Sequence, residues 1–197
     1  MIHYALFMYI LLNFSLTFVW PSYRVWKQTR VFPVTFSNQD NAHDYIGNVF
    51  KLLLVLLVLT GGVYAFFPRA IAYLLPVWYL EKPFFQWVGT IILSTSLAWI
   101  AIAQQQMANS WRIGIDENNK TSLVTKGVFA RSRNPIFLGM LLTLLGVFLL
   151  IPNAITFMVL FTGVIAVQVQ VRLEEAFLLK QHEQEYSDYC SKTRRWI

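Results

Sequence analysis

Four long stretches of the 197-residue sequence contain no Asp, Glu, Lys or Arg. They cover residues 1–23, 52–68, 83–111 and 134–171. A helix rises about 1.5 Å per residue and a bilayer's hydrocarbon core is about 30 Å thick, so each stretch can cross a membrane and the last can cross twice. A water-soluble fold of this size has no interior large enough for a chain that is 56% hydrophobic and 13% charged. The sequence therefore predicts an all-α integral membrane protein.

The boundaries of the uncharged stretches predict about five transmembrane helices. We place them at residues 3–20, 49–67, 84–106, 135–151 and 153–171. Pro152 and Asn153 interrupt the last stretch, which predicts a tight hairpin of the fourth and fifth spans. Residues 69–82 are rich in Pro, Trp and Tyr, and this composition indicates an interfacial segment rather than a span.

Basic residues are distributed unevenly over the connections between these spans. Fourteen of the sixteen Lys and Arg lie in the first connection, the third connection and the C-terminal tail, whereas only Arg69 and Lys82 lie in the second. By the positive-inside rule this predicts an N-terminus outside the cytoplasm and a C-terminus within it. The same distribution explains the net charge of +6 by membrane topology, and we expect the bilayer rather than nucleic acid as a partner.

The second half of the chain carries two further structural signals. After Val171, apolar side chains recur with the period of a helix among charged ones. This pattern predicts a cytoplasmic amphipathic helix. Gly139, Thr143 and Gly146 form a face of small residues that a neighbouring helix can approach closely. We expect one structural domain, with three spans in residues 1–106 and with a connection, the hairpin and the C-terminal helix in residues 107–197.

The sequence contains no motif of the common metal or nucleotide sites. Its three histidines, His3, His43 and His182, are not spaced as ligands, and Cys190 is the single cysteine, so we expect no metal site. A P-loop and a GxGxxG motif are both missing. Two polar clusters at the predicted membrane surface are the remaining candidates for chemistry.

The first cluster, Arg133-Asn134-Pro135, stands at the start of the fourth span. One interpretation is a basic membrane anchor followed by an Asn that caps the helix, with Pro in its first turn. The other interpretation is a site for an anionic group, which a helix N-terminus and a guanidinium would bind together.

The second cluster, Arg172-Leu173-Glu174-Glu175, stands where the fifth span leaves the membrane. Acidic side chains at this depth are costly unless they are paired or hydrated. Arg172 and Glu175 can form an ordinary pair on the helix surface, and we expect Glu175 to reach water. Glu174 is then the residue expected to face inward, against a cationic group of a ligand.

Both clusters are parts of a longer ordered pattern. It reads Trp111-Arg112, Leu123-Val124-x-x-Gly127-Val128-Phe129, Arg133-Asn134-Pro135-x-Phe137, Arg172-x-Glu174-Glu175, Glu185-Tyr186-x-x-Tyr189 and Arg194-Arg195-Trp196. This pattern resembles the isoprenylcysteine carboxyl methyltransferase family, and the phospholipid N-methyltransferases share much of it. The resemblance implies a membrane methyltransferase that uses S-adenosylmethionine and differs in fold from soluble Rossmann methyltransferases.

The resemblance also implies which residues bind and react. Cofactor contacts are implied at Thr121, Ser122, Leu123, Val124, Phe129, Arg133, Asn134, Pro135, Ile136 and Phe137. Glu174 and Arg172 are implied as catalytic residues, and Gln170 and Glu174 as contacts of the methyl acceptor. The chain departs from the family pattern at Thr121, where His is usual, at Phe129, where Tyr is usual, and at Asn134, where the family more often has Arg-His-Pro. Gln170 stands where a family arginine pairs with the glutamate.

The implied reaction sets requirements that the residues can be tested against. Methyl transfer from a sulfonium is an in-line displacement that needs alignment in a dry cavity and no metal. A carboxylate acceptor is already ionised, whereas a thiol or an amine must lose a proton, for which Glu174 is the candidate base. The acceptor stays open between a prenylated cysteine carboxylate, a lipid amine and a small apolar thiol. A sterol-type membrane reductase that uses NADPH and a non-enzymatic scaffold or transporter are the alternative functions.

Overall fold

The computed structural model of the protein describes residues 2–31, 33, 40–112, 114 and 122–197. Within these residues the secondary structure is helical and comprises six α-helices, which are α1 Ile2–Phe14, α2 Trp20–Thr29, α3 Ala42–Phe66, α4 Pro83–Met107, α5 Pro135–Leu150 and α6 Ala154–Lys192. A π-helical turn, Ser15–Val19, joins α1 to α2. Short 3-10 turns occupy the connections at Pro68–Leu74, Trp78–Leu80, Ala108–Ser110 and Gly127–Ala130.

The lengths of the apolar helices confirm the predicted membrane fold. In the described part of the chain four helices are long and apolar enough to cross a membrane, namely Tyr4–Thr29, Ala42–Phe66, Pro83–Met107 and Ala154–Lys192. The remaining apolar helix, α5, has 16 residues and is about 24 Å long. Each of the five predicted spans overlaps one of these helices.

The link between α5 and α6 forms the predicted hairpin. Asn153 caps α6, because its side chain accepts hydrogen bonds from the backbone N–H groups of Ile155 at 2.9 Å and Thr156 at 3.0 Å. The Thr156 hydroxyl in turn accepts from the backbone N–H of Asn153 at 3.2 Å. This reciprocal capping satisfies donors that would be expensive to leave unpaired in an apolar surrounding.

The membrane helices pack in a ring: α1 contacts α3, α3 contacts α6, α6 contacts α5, α5 contacts α4, and α4 contacts the π turn. Glycines allow the close approach of α4 and α5. A Cβ atom at Gly146 would lie 2.7 Å from Leu93 Cγ, and one at Gly89 would lie 2.9 Å from the carbonyl oxygen of Gly146. The small-residue face predicted on α5 is thus the face that packs against α4.

The sequence pattern predicts an amphipathic helix that follows the fifth span as a separate element. In the structure the two are one helix, α6. α6 continues past Val171 to a bend at Glu183, where the backbone leaves the helical region with φ 46° and ψ −116°. No Gly or Pro between these two residues stops the helix. After the bend the chain returns to the start of α5, where the Tyr189 hydroxyl donates a hydrogen bond to the carbonyl oxygen of Phe129 at 2.6 Å.

Candidate functional site

The ring of helices encloses a cavity of about 470 Å³. Its wall is formed by the π turn, α3, α4, α5 and α6, and by Trp111 and Arg112 of the third connection. Most of the wall is apolar, and among the residues that the structure describes its charged side chains are Lys51, Arg112, Arg133 and Glu174. A large apolar pocket with a few polar groups is the usual form of a small-molecule site.

Most of the residues predicted for the site border this cavity. They are Phe129, Arg133, Asn134, Pro135, Ile136, Phe137, Gln170 and Glu174. Ser122, Leu123 and Val124 lie in the described part of the chain but do not border it. Thr121 lies outside the described residues.

Arg172 is the predicted catalytic residue that the structure places away from the cavity. Its side chain is exposed and donates hydrogen bonds to the carbonyl oxygen of Gln168 at 2.7 Å and to the Gln168 side chain at 2.9 Å. It borders a separate, smaller pocket together with Glu175 and Cys190. Arg172 therefore has no direct path to a ligand in the main cavity.

The start of α5 presents backbone donors to the cavity. Pro135 occupies the first turn, and Asn134 precedes the helix without capping it through its side chain. Because the first N–H groups of a helix have no partner within it, those of Ile136 and Phe137 are available at the cavity wall. The helix dipole adds partial positive charge at the same place, so this end suits an anionic group.

The Arg133 guanidinium binds the C-terminal segment of the same chain. It donates to the carbonyl oxygen of Thr193 at 2.6 Å and of Cys190 at 3.3 Å, and it pairs with Glu175 at 3.2 Å. Arg133 borders the cavity, but these partners already occupy several of its donors. The start of α5 and the C-terminal segment are therefore held together by this side chain.

Glu175 is mostly buried and ion-paired, so the expectation from the sequence that it extends into water is wrong. Its side chain is 11% exposed and accepts hydrogen bonds from Arg195 at 2.7 Å, from Arg133 at 3.2 Å and from Asn134 at 3.0 Å. Burial alone would raise the pKa of Glu175, but the hydrogen bonds from Arg195, Arg133 and Asn134 lower it below the usual carboxyl value. The sequence pattern could not show that the chain folds back after the bend at Glu183 and brings Arg195 to this carboxylate.

Glu174 faces the cavity, as predicted. Gln170 Nε2, one helical turn earlier, donates to Glu174 Oε1 at 2.9 Å and lies 3.4 Å from Nδ1 of His43 on α3. Glu174 lies beyond the uncharged part of α6, and burial raises its pKa to about 7, against the effect of the hydrogen bond from Gln170. The side chain keeps some accessible surface because it borders the cavity, and a cation bound there would lower the pKa.

The N-terminal half contributes wall residues that sequence reasoning missed. The π turn and the end of α1 bring Asn13, Phe14, Thr17 and Phe18 to the cavity, and α4 brings Gln104. An uncharged apolar stretch carries no signal for a π turn, because its residues are ordinary for a membrane helix. Only the packing of the ring reveals that these side chains face inward.

Comparison with known proteins supports a relationship over the part of the chain that builds most of this site. A sequence model of the phospholipid methyltransferase family matches residues 84–185, from the first turn of α4 to just beyond the bend in α6. This range contains every predicted cofactor, acceptor and catalytic residue. No curated protein matches the chain.

The charge of Glu175 is expected to hold the C-terminal segment against α5. Glu175→Gln should lower the free energy of unfolding by roughly 1.5–3 kcal/mol, because two arginines lose a charged partner. Because the pKa of Glu175 is lowered on folding, its contribution is complete above the ordinary carboxyl value of 4.5 and is lost as the pH falls through the folded-state value. Thermal unfolding in detergent should therefore show less acid sensitivity in the variant than in the parent.

Glu185→Gln is the matched control, because that side chain is 68% exposed and its ion pair is a 3.8 Å contact with His182. It should leave both the unfolding temperature and its pH dependence unchanged. Equal unfolding curves for the parent and Glu175→Gln at pH 7 would contradict the proposed role of this carboxylate.

Proposed function

The chain belongs to the phospholipid methyltransferase family, and we propose that it uses S-adenosylmethionine to methylate an apolar or lipid-linked acceptor. Family membership and the apolar helices make the protein a multi-pass membrane methyltransferase. The donor is inferred from the family, and the acceptor class and the binding residues are inferred from the residue pattern and the cavity.

The cavity wall offers partners for three groups of the donor, namely its carboxylate, its adenine ring and its cationic centre. The start of α5, at Ile136 and Phe137, offers backbone N–H groups to a carboxylate. Aromatic side chains that can cover an adenine ring border the same cavity at Trp111 and Phe129. Glu174 is the carboxylate of the described wall and suits a cation. When bound, S-adenosylmethionine supplies an electrophilic methyl group on a sulfonium.

The position of Glu174 in the cavity wall is the single observation on which the proposed chemistry depends. Glu174 borders the cavity, it is held by Gln170 at 2.9 Å, and its pKa of about 7 lies near neutral pH. A carboxylate with this pKa takes a proton from an approaching nucleophile at neutral pH. Its negative charge also favours a cationic ligand in a surrounding of low dielectric constant.

The wall of the cavity also offers a place for an apolar acceptor. Leu53 and Leu57 on α3, Ile100 on α4, and Met140 and Leu144 on α5 border it within the membrane-spanning helices. A hydrocarbon chain or a small apolar molecule is stabilised on such a wall by about 25 cal/mol per Å² of buried apolar surface. The wall therefore supports an acceptor that partitions into the bilayer.

Among the acceptors considered, a lipid amine or an apolar thiol suits the site better than a carboxylate. A carboxylate placed beside ionised Glu174 would be repelled. Gln170 stands at the position where an arginine would offset that repulsion, and its amide nitrogen is already bonded to Glu174. An amine or a thiol instead delivers the proton that Glu174 is placed to accept.

The proposal includes an orientation in the membrane. Fourteen of the sixteen basic residues lie on the side of the third connection and the C-terminal tail. By the positive-inside rule that side is cytoplasmic and the N-terminus is outside. This orientation would give a water-soluble donor access from the cytoplasm to the start of α5.

Replacing Glu174 tests the catalytic part of the proposal. Glu174→Gln keeps the shape of the side chain and should slow methyl transfer at least about tenfold, a barrier change near 1.4 kcal/mol. Single-turnover rates with labelled S-adenosylmethionine and phosphatidylethanolamine or an alkyl thiol give the measurement. The parent rate should rise with pH as Glu174 loses its proton, at or below a pH of about 7 because a bound cation lowers the pKa of Glu174, and the variant rate should lack this rise.

Glu185→Gln again serves as the control, because its exposed side chain lies away from the cavity wall. Its rate and pH profile should match those of the parent. A folded Glu174→Gln protein with the parent rate would remove Glu174 from the chemistry.

Cysteine labelling tests the orientation. In a Cys190→Ser background, Glu81→Cys and Lys126→Cys place one thiol on each predicted side, at positions whose native residues are exposed. A membrane-impermeant maleimide applied to intact cells should label position 81 and leave position 126 unlabelled until the cells are opened. The reverse pattern, or equal labelling, would contradict the proposed orientation.

A further inference from the structure

α1, the π turn and α2 form one continuous helical rod. The Thr17 hydroxyl differs from the Ser and Thr hydroxyls elsewhere in this rod because it has no hydrogen-bond partner. Ser15, Ser22 and Thr29 each donate to the carbonyl oxygen four residues earlier, at 2.8, 2.5 and 2.8 Å. Thr17 is 2% exposed, borders the cavity, and its Oγ1 atom is buried with no hydrogen-bond partner. A buried polar atom without a partner is costly, so its retention calls for an explanation.

Thr17 lies in the π turn, and a neighbouring helix holds that turn in place. Gln104 on α4 is 4% exposed, and its Nε2 atom donates to the carbonyl oxygen of Thr17 at 2.6 Å. The carbonyl oxygen of Gln104 in turn accepts from Arg24 at 3.1 Å. π turns within α-helices are uncommon and often occur at functional sites.

A second buried oxygen without a partner belongs to the same cavity wall. Gln170 on α6 is 3% exposed, and its Oε1 atom is buried with no hydrogen-bond partner. Its Nε2 atom is the one that bonds Glu174, which fixes the carbonyl side of the amide as the unsatisfied acceptor. The π turn and α6 thus each bring a residue with an unsatisfied buried oxygen to the same cavity wall.

We infer that Thr17 is a specificity-determining residue that hydrogen-bonds a polar group of the methyl acceptor. This inference rests on the proposed function. The neighbours of Thr17 in the wall include Phe14 and Phe18, so its unpartnered hydroxyl lies in a mostly apolar part of the wall. Such a surface suits a molecule with a polar group next to a hydrocarbon chain.

The position of Thr17 in the chain favours the acceptor over the donor as its ligand. The residues that match the groups of S-adenosylmethionine lie at the start of α5, in the third connection and, for Glu174, on α6. Thr17 instead belongs to the rod of α1 and α2, outside the range 84–185 that the family shares. A contact from this rod can select among acceptors without altering the donor site.

Thr17→Val removes the hydroxyl and keeps the volume of the side chain. With phosphatidylethanolamine, a farnesylated cysteine and an alkyl thiol as probes, kcat/KM for the acceptor that the parent prefers should fall about three- to tenfold, the effect of one neutral hydrogen bond. The affinity for S-adenosylhomocysteine should stay the same. Thr17→Ser, which keeps the hydroxyl, should restore most of the lost activity, and the ligand-free Thr17→Val protein should unfold at a higher temperature than the parent.

Ser15→Ala is the matched control, because Ser15 lies in the same π turn, is exposed, and has a hydroxyl that is already bonded. It should not change kcat/KM for the acceptor. An unchanged kcat/KM in Thr17→Val, a weaker affinity for S-adenosylhomocysteine, or a Thr17→Ser protein as impaired as Thr17→Val would each overturn the inference. If the parent itself neither binds S-adenosylhomocysteine nor methylates any of the probes, the proposed function fails, and the inference fails with it.

Discussion

The carboxylate of Glu175 joins three parts of the chain that are far apart in sequence. It pairs with Arg133 and Asn134 at the start of α5 and with Arg195 near the C-terminus. Arg133 adds bonds to the backbone of the same C-terminal segment. This network stabilises the fold at the predicted membrane boundary, because a charged group there costs free energy unless it is paired and hydrogen-bonded. The cavity wall at the start of α5 depends on these bonds, since they fix both the start of α5 and the C-terminal segment behind it.

Because this network holds Glu175, the adjacent glutamates of α6, Glu174 and Glu175, have separate roles. Successive side chains on an α-helix point about 100° apart, so when Glu175 faces the C-terminal segment, Glu174 faces the cavity. Their surroundings move the two pKa values in opposite directions, downward for Glu175 beside cations and upward to about 7 for Glu174. One carboxylate thereby stays charged and structural, while its neighbour has the pKa of a residue that can exchange a proton.

Much of the architecture could be predicted because the bilayer imposes it. Uncharged stretches of sufficient length located the apolar helices, Pro152 and Asn153 located the hairpin turn, and small residues located the face of α5 that contacts α4. Glu174 could be assigned to the inside because helical spacing separates it from Arg172. These signals are local, and each follows from a short piece of sequence.

The features that could not be predicted depend on contacts between distant residues. Nothing near Glu175 indicates that Arg195 returns to it, because the return follows from the bend at Glu183. In the sequence, Thr17 resembles any Thr of a membrane helix. Only the folded structure shows that Gln104 on α4 donates to its carbonyl oxygen. Arg133 fits an anion site by its position, yet the folded chain uses most of its donors for its own C-terminal segment.

Isothermal titration of the purified protein in detergent with S-adenosylhomocysteine and with NADPH tests the central claim most directly. A methyl-donor site formed by the start of α5 and Glu174 predicts saturable binding of S-adenosylhomocysteine at one site per chain and no binding of NADPH. Binding of NADPH alone would identify a reductase, and binding of neither compound would mean that the cavity is not a cofactor site.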